Sequence, residues 1–132
     1  MPALNKTKLI AAAIEASKFA CAPYSKFHVG AALLLADGSI VRGANVESVS
    51  YGLTCCAERI ALFKALTDGK RNFRAIAIVA PVALPTPCGA CRQLLHEYAS
   101  DAIVLVADSR KPDAFKEFTV QELLPHAFRT LV

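Results

Sequence analysis

The amino-terminal part of the chain shows a helical period in its apolar residues. Between residues 5 and 20 they recur every three or four positions, and Asn5 occupies the place of an N-cap. This pattern predicts a helix over residues 5–20 that Pro23 terminates. Its stripe consists of Leu9, Ile10, Ala13, Ile14 and Ser17.

The next segment has the pattern of a β-hairpin. Residues 27–36 form an apolar run that ends at Asp37-Gly38, a dipeptide typical of two-residue hairpin turns. Residues 39–45 are predicted to return as the second strand. Gly30 lies inside the first strand, where its missing side chain indicates the close approach of another backbone or of a ligand.

The middle of the chain combines a helix with a buried strand. The helix is predicted over residues 54–68, with Gly69 at its end. Apolar residues on more than one of its faces predict deep burial, and they are Ile60, Leu62, Phe63 and Leu66. Residues 73–79 are nearly all apolar or β-branched, which is typical of a strand buried on both faces of a sheet.

A proline-rich loop at residues 81–87 leads into a second predicted helix over 88–99 and another buried strand over 103–107. Strands that alternate with helices favour parallel pairing. A short strand is expected after Asp113. Residues 119–122, with the sequence Thr-Val-Gln-Glu, form a capping box that opens a last short helix.

These elements together predict an α/β fold. We expect residues 1–132 to form a single domain with a mixed sheet. In that sheet an N-terminal antiparallel hairpin adjoins parallel strands that are linked by helices.

The composition favours a self-associating protein of the cytoplasm. Hydrophobic residues make up 55% of the chain, a high fraction for a small monomer. The longest apolar runs, residues 29–36 and 75–84, are too short to span a bilayer, and no secretion signal is recognisable. We therefore expect no membrane partner, and expect the excess apolar surface to be buried in an obligate homo-oligomer.

The charges are not arranged for nucleic-acid binding. The net charge is +4, but the basic residues are scattered, with no dense run and no interleaved aromatic residues. Five cysteines without a secretion signal indicate a reducing compartment, and metal binding rather than disulfides.

Three of the cysteines have the spacing of a metal site. Cys88 and Cys91 are three residues apart at the predicted start of a helix, so both sulfurs can reach one ion, and Cys56 supplies a third thiolate. Glu58 lies two residues beyond Cys56. Three protein ligands and a nearby carboxylate predict a zinc ion that keeps an open position for water, since a structural zinc normally takes a fourth protein ligand.

These residues resemble the cytidine deaminase family, in its small form with three cysteine ligands. The resemblance rests on Cys56-Ala57-Glu58-Arg59 and on Pro87-Cys88-Gly89-Ala90-Cys91-Arg92-Gln93. It extends over nearly the whole chain through Ala22-Pro23-Tyr24-Ser25-Lys26-Phe27, Val29-Gly30-Ala31-Ala32, Gly43-Ala44-Asn45-Val46-Glu47 and Glu122-Leu123-Leu124-Pro125.

The resemblance implies a three-layer α/β/α fold and the zinc-dependent hydrolysis of cytidine and 2′-deoxycytidine to uridine and 2′-deoxyuridine, with release of ammonia, in pyrimidine salvage. Cys56, Cys88 and Cys91 would bind Zn²⁺ and Glu58 would shuttle protons. Arg59 would donate hydrogen bonds to the cysteine sulfurs.

The same resemblance implies the substrate contacts. Phe27 would pack against the pyrimidine, Asn45 and Glu47 would bind the ribose 3′-hydroxyl, and the backbone N–H of Ala57 would bind the base carbonyl. The other implied residues are Tyr24 and Tyr51 near the sugar and the interface, and Phe128, which would reach a neighbouring subunit's site in a homotetramer. For these three residues a plain packing role is the alternative.

Two positions depart from the family pattern and leave the substrate range open. Ser48 stands where the family usually has asparagine, and His126 where a glycine or small residue is common. One alternative function is therefore the deamination of another aminated nucleoside or base on the same scaffold, such as a modified cytidine, a blasticidin-type antibiotic or a purine base. The other is a non-catalytic zinc module or RNA-binding protein.

Overall fold

A computed structural model describes residues 3–131 as a five-stranded sheet with helices on both faces. The sheet order is β2-β1-β3-β4-β5. No helix within residues 3–131 has the length and hydropathy needed to cross a membrane. The elements in chain order are α1 (Lys6–Ser17), β1 (Gly30–Leu35), β2 (Ile40–Ala44), a 3₁₀ turn (Tyr51–Leu53), α2 (Ala57–Thr67), β3 (Phe73–Ala80), α3 (Gly89–Tyr98), β4 (Ile103–Asp108), β5 (Lys116–Thr119) and α4 (Val120–Leu123).

The strand directions confirm a mixed sheet. β1 pairs antiparallel with β2 on one side and with β3 on the other, and β3 pairs parallel with β4. β5 adds an antiparallel edge strand. The hairpin is thus inserted so that β1 separates β2 from β3, and only the β3–α3–β4 unit joins adjacent parallel strands through a helix.

The buried side chains form two layers of core, one on each face of the sheet. Alternate residues of β1, β3 and β4 point to opposite faces, as the two-residue period of a strand requires. One set packs against α1, and the other set against α2, α3 and α4. This confirms the three-layer α/β/α arrangement.

Several local predictions need correction. α1 ends at Ser17 rather than residue 20, and α2 begins at Ala57 rather than residue 54. The hairpin loop has three residues rather than two, because the N–H of Leu35 bonds to Ser39 O and Gly38 takes the left-handed conformation at φ 91°. α2 is not deeply buried all round, since Phe63 on its outer face is 40% exposed.

The predicted close approach at Gly30 is confirmed. A Cβ atom built there would lie 1.9 Å from the carbonyl oxygen of Ala13 and 2.7 Å from the N of Ser17, so α1 crosses directly over this residue. At Gly43 a Cβ would lie 2.5 Å from both Ala57 O and Ala61 N. The two glycines let α1 and α2 pack closely on opposite faces of the hairpin.

We expect Gly30→Ala to lower the free energy of unfolding by about 3 kcal/mol, because the added methyl group must push α1 off the sheet. Chemical denaturation of the zinc-loaded protein measures the change. Gly52→Ala is the control, since nothing lies within 4 Å of a Cβ at Gly52, and it should change stability by less than about 0.5 kcal/mol. Equal effects of the two substitutions would contradict the close packing of α1.

Candidate metal centre and active site

Three cysteine sulfurs converge beside the amino-terminal ends of α2 and α3. The Sγ atoms of Cys56, Cys88 and Cys91 all lie within 4.8 Å of one another, and those of Cys56 and Cys88 are 3.8 Å apart. Within residues 3–131 they form the only group of three or more His, Cys, Asp or Glu side chains that could hold a metal ion. The predicted sulfur cluster is therefore assembled by the fold.

The helix ends explain why these sulfurs are available. Cys56 is the N-cap of α2 and Cys88 is the N-cap of α3, and neither side chain forms a capping hydrogen bond with its helix. Cys91 follows in the first turn of α3 and is buried. Since each helix amino terminus carries roughly half a positive charge, both ends favour thiolates at this point.

The sulfur geometry fits zinc. Two sulfurs at about 2.3 Å from one tetrahedral zinc ion are separated by roughly 3.8 Å, which agrees with the Cys56–Cys88 separation of 3.8 Å. Three soft thiolates are a ligand set that zinc prefers. With no fourth His, Cys, Asp or Glu side chain joining the cluster among residues 3–131, one ligand position is left for water or substrate.

The Glu58 carboxyl group is buried at the same place. It is 5% exposed, lies in the first turn of α2, and is in hydrogen-bonding contact with the Cys91 thiol. Burial raises the pKa of Glu58 to about 7, and the nearby Cys56 thiolate adds to the rise. A carboxyl group with this pKa can both accept and release a proton near neutral pH.

Arg59 lies against the sulfur cluster. Its Nη2 donates to Cys56 Sγ at 3.4 Å and to the carbonyl oxygen of Thr54 at 3.4 Å. Hydrogen bonds from the Cys91 thiol and from Arg59 lower the pKa of Cys56 to about 5, whereas the pKa of Cys91 is raised by its hydrogen bond to Cys56 and by burial. Arg59 thus places a positive charge and a hydrogen-bond donor beside the sulfur of Cys56.

The cluster opens into a cavity of about 390 Å³. A pyrimidine nucleoside is within the range of ligands that such a volume accepts. Its wall includes Phe27, Asn45, Cys56, Ala57, Glu58 and Cys88. The cavity therefore brings together the predicted site residues Phe27, Asn45 and Glu58 and two of the three clustered sulfurs.

The Asn45 side chain is already engaged with the backbone. Its Oδ1 accepts from the N–H of Val29 at 2.9 Å, and its Nδ2 donates to the carbonyl oxygen of Phe27 at 2.9 Å. Asn45 is 7% exposed. One Nδ2 hydrogen is left over for a substrate hydroxyl, because an amide carries two donors.

A second cavity of about 450 Å³ adjoins the first. Thr54 lines both cavities, so they are neighbours. The wall of the second consists of Tyr24, Ser25, Glu47, Ser48, Tyr51 and Thr54. The predicted sugar-binding residues are thus divided: Asn45 faces the metal cavity, whereas Glu47 and both tyrosines face this outer one.

Glu47 is held by a turn that precedes β1. Its Oε1 accepts from the N–H groups of Tyr24 and Ser25, both at 3.1 Å, and its Oε2 accepts from the Ser25 hydroxyl. The hydrogen bond from Ser25 lowers the pKa of Glu47. Ser25 was not among the candidate site residues, although it stands within the segment that resembles the family.

Other predicted residues lie outside both cavities. Phe128 is 63% exposed, and its carbonyl oxygen accepts from Gln93 Nε2 at 2.9 Å. Arg92, which belongs to the second motif, donates to the carbonyl oxygens of Pro87 and Leu123. It thereby ties the Cys88 loop to α4.

The two remaining cysteines, Cys21 and Cys55, are not members of the sulfur cluster, although Cys55 lines the same cavity. Cys55 precedes Cys56, and its backbone forms two hydrogen bonds with Val46, at 2.8 and 3.0 Å. Cys21 is exposed and forms a β-bridge with Val46. Both cysteines therefore serve to anchor the segment that carries Glu47.

Comparisons with known proteins agree with this geometry. A family model described as the cytidine and deoxycytidylate deaminase zinc-binding region matches residues 4–107. A cytidine deaminase of Halalkalibacterium halodurans is 51% identical over 126 residues, which are 95% of each chain. A blasticidin-S deaminase of Bacillus cereus is 33% identical over 110 residues, covering 76% of each chain.

A solved structure shares the fold. The crystal structure of cytidine deaminase from Burkholderia pseudomallei superposes with a TM-score of 0.90 at 43% sequence identity, covering 95% of this chain and 100% of that one. The matched region of the family model includes all three clustered cysteines and Glu58. The chain therefore belongs to the cytidine and deoxycytidylate deaminase family of zinc-binding proteins.

Proposed function

We propose that the protein hydrolyses cytidine and 2′-deoxycytidine to uridine and 2′-deoxyuridine, with release of ammonia, and so serves pyrimidine salvage. The observation that supports this most directly is the buried Glu58 carboxyl group beside three clustered sulfurs in a cavity of about 390 Å³. The substrate of the relatives named cytidine deaminase agrees with it.

Cys56, Cys88 and Cys91 are the residues that would hold zinc, which supplies Lewis-acid activation of water when bound. Glu58 carries the protons of the reaction. Its carboxylate accepts a proton from the attacking water and delivers it to N3 of the pyrimidine, which makes C4 more electrophilic. The same carboxylate then takes the proton of the hydroxyl now attached to C4 and passes it to the departing amine, while the C4–N bond breaks and the C4 carbonyl forms. One water is thus consumed and one ammonia is released.

Two features of the surroundings support this proton transfer: charge that offsets the thiolates, and burial of the carboxyl group. Arg59 and the amino-terminal ends of α2 and α3 offset the negative charge of three thiolates, which would otherwise weaken the acidity of a bound water. Burial of Glu58 excludes bulk water from the proton path.

The remaining residues bind and orient the nucleoside. Phe27 packs on the pyrimidine, and the N–H of Ala57 donates to the base carbonyl, since N–H groups in the first turn of a helix lack intrahelical partners. Asn45 and Glu47 bind the 3′-hydroxyl. Tyr24 and Tyr51 flank the sugar in the outer cavity.

The test is ammonia release from the purified, zinc-loaded protein with a panel of amines: cytidine, 2′-deoxycytidine, cytosine, deoxycytidylate, adenosine and blasticidin S. We expect both nucleosides to react, and cytosine to react at least about 100-fold more slowly, because it offers no ribose hydroxyl to Asn45 and Glu47. A chelator should abolish the reaction, and zinc should restore it. Zinc-loaded protein that releases no ammonia from either cytidine would contradict the proposal.

A second candidate is deamination of a larger cytidine-like amine such as a blasticidin-type antibiotic. It is favoured by the 33% identical blasticidin-S deaminase and by the outer cavity of about 450 Å³, where Ser48 replaces a larger amide. In the panel this function predicts faster release from blasticidin S than from cytidine.

For the assembly, we infer a cytoplasmic homotetramer of single-domain chains spanning residues 1–132, in which Phe128 reaches a neighbouring site. Large apolar side chains are exposed in several parts of the chain, and they include Phe19, Val49, Tyr51, Leu53, Phe128 and Leu131. Light scattering should give a mass of four times 14.1 kDa. A monomer at micromolar concentration would contradict the inference.

A further inference from the structure

The segment that carries Phe27 has no regular structure of its own. Between the end of α1 and the start of β1, residues 22–29 form a turn and an extended stretch without a partner strand of their own. Lys26, immediately before Phe27, lies in the left-handed region at φ 60°, which a non-glycine residue adopts only at a cost in free energy. The position of the Phe27 ring therefore has to be fixed by contacts from elsewhere.

Side chains hold both backbone polar groups of Phe27. Its N–H donates to the Ser25 hydroxyl oxygen at 3.0 Å, and its carbonyl oxygen accepts from Asn45 Nδ2 at 2.9 Å. The Ser25 hydroxyl in turn donates to Glu47 Oε2. The Ser25 hydroxyl thus connects the Glu47 carboxylate to the Phe27 N–H.

Asn45 holds Phe27 directly and Glu47 holds it through Ser25, and both side chains come from one segment of the fold. Asn45 and Glu47 directly follow β2, and their own backbone is fixed to Cys21, since Cys21 N donates to Asn45 O and Glu47 N donates to Cys21 O, both at 2.9 Å. The chain of contacts therefore runs from a rigid strand end, through Glu47 and Ser25, to the aromatic residue of the metal cavity.

From this geometry we propose that Ser25 is a positioning residue. Its hydroxyl donates to the Glu47 carboxylate and accepts from the Phe27 N–H, and these two hydrogen bonds hold the Phe27 ring against the pyrimidine. The kinetic consequence of this inference rests on the proposed function. Glu47 would then hold Ser25 in addition to binding the sugar hydroxyl. Ring contacts are equally present in the ground and transition states, so their loss should raise KM and leave kcat nearly unchanged.

The turn is exposed, so water can replace the lost hydrogen bonds of a Ser25→Ala variant, and folding should be little affected. We expect Ser25→Ala to raise KM for cytidine about 10-fold, with kcat within about 2-fold of the parent. Ser25→Thr keeps a hydroxyl and should recover most of the affinity. Ser39→Ala is the matched control, because the Ser39 hydroxyl donates to Asp37 at 2.6 Å in the distant hairpin loop.

A double-mutant cycle separates positioning from direct contact with the sugar. If Ser25 acts through the ring, Ser25→Ala should raise KM less than 2-fold in a Phe27→Ala background. A full 10-fold effect in that background would overturn the proposal, as would an equal rise in KM for Ser39→Ala.

Hydrogen exchange supplies a readout that does not depend on activity. Loss of the Ser25 hydroxyl should speed exchange of the Phe27 amide at least about 10-fold in the zinc-loaded protein, while Ser39→Ala leaves it unchanged. Unchanged exchange in Ser25→Ala would overturn the relay. If the parent protein deaminates no cytidine, the proposed function fails, and this measurement still decides whether Ser25 holds Phe27.

Discussion

Replacing Glu58 with glutamine should leave one zinc ion per chain and lower kcat by about 10³-fold. Glutamine has nearly the shape of glutamate, so the cavity and the three sulfurs are preserved. Its amide cannot accept the proton of the attacking water or deliver one to the departing amine. The variant therefore removes proton transfer and leaves metal binding intact.

Stability gives a second, independent expectation for Glu58→Gln. Burial raises the pKa of Glu58 from 4.5 to about 7, so the folded protein disfavours the charged form, and the resulting loss of stability is complete only above pH 7. Below pH 4.5 the group is protonated in both folded and unfolded chains, and the penalty vanishes. At pH 8 the zinc-free variant should thus unfold at an equal or higher temperature than the zinc-free parent.

Steady-state kinetics and metal analysis of the same preparation test the first expectation. Asp108→Asn is the matched control, because Asp108 is also a buried carboxylate but pairs with Arg110 at the end of β4. Its kcat should stay within about 3-fold of the parent, whatever its stability. Near-normal turnover in Glu58→Gln with zinc bound would rule out Glu58 as the proton carrier.

Local sequence information predicted two of the three clustered sulfurs, whereas Cys56 is 32 positions from Cys88 and no local signal places it there. A Cys-x-x-Cys segment at the start of a helix sets the positions of two sulfurs, and the helix boundary follows from the preceding prolines. Short-range signals also predicted Asn5 as an N-cap, the Thr119–Glu122 capping box and the turn at Gly69. Each depends on residues fewer than five positions apart.

Contacts between distant segments could not be predicted in this way. The hydrogen bonds from Ser25 to Glu47 and from Asn45 to Phe27 join residues 22 and 18 positions apart in sequence. The resemblance to the family implied that Asn45 and Glu47 bind the sugar hydroxyl, and it did not imply these contacts within the chain. The insertion of β1 between β2 and β3 likewise depends on long-range pairing. The alternation of strands and helices along the chain therefore predicted more adjacent parallel strands than the sheet contains.

The backbone conformation explains one of the two positions at which the chain departs from the family pattern. His126 adopts φ 56°, in the left-handed region that glycine enters at little cost. This conformation accounts for the glycine or small residue that is common at the position. Ser48 has a structural task of its own, since its hydroxyl accepts from the N–H of Ser50 at 3.1 Å.

The adjacent cysteines at 55 and 56 allow the metal site to be tested with two nearly identical substitutions. Cys56→Ser should reduce bound zinc to less than about 0.1 ion per chain and lower activity by at least 100-fold, because a hydroxyl is a poor ligand for zinc. Cys56 is the N-cap of α2, and serine is a favourable N-cap residue. The helix should therefore form as well as before in the variant.

Cys55→Ser should keep one zinc ion per chain, since the Cys55 sulfur is not part of the cluster and burial raises the pKa of its thiol, which opposes the thiolate form that zinc requires. Metal analysis after dialysis measures both variants, and circular dichroism compares their folding. The two substitutions change the same atom in neighbouring residues, so general damage to this segment would affect them alike. Equal zinc contents would mean that the three converging sulfurs are not what holds the metal, whereas loss in Cys56→Ser alone assigns the ligand to the residue that caps the helix.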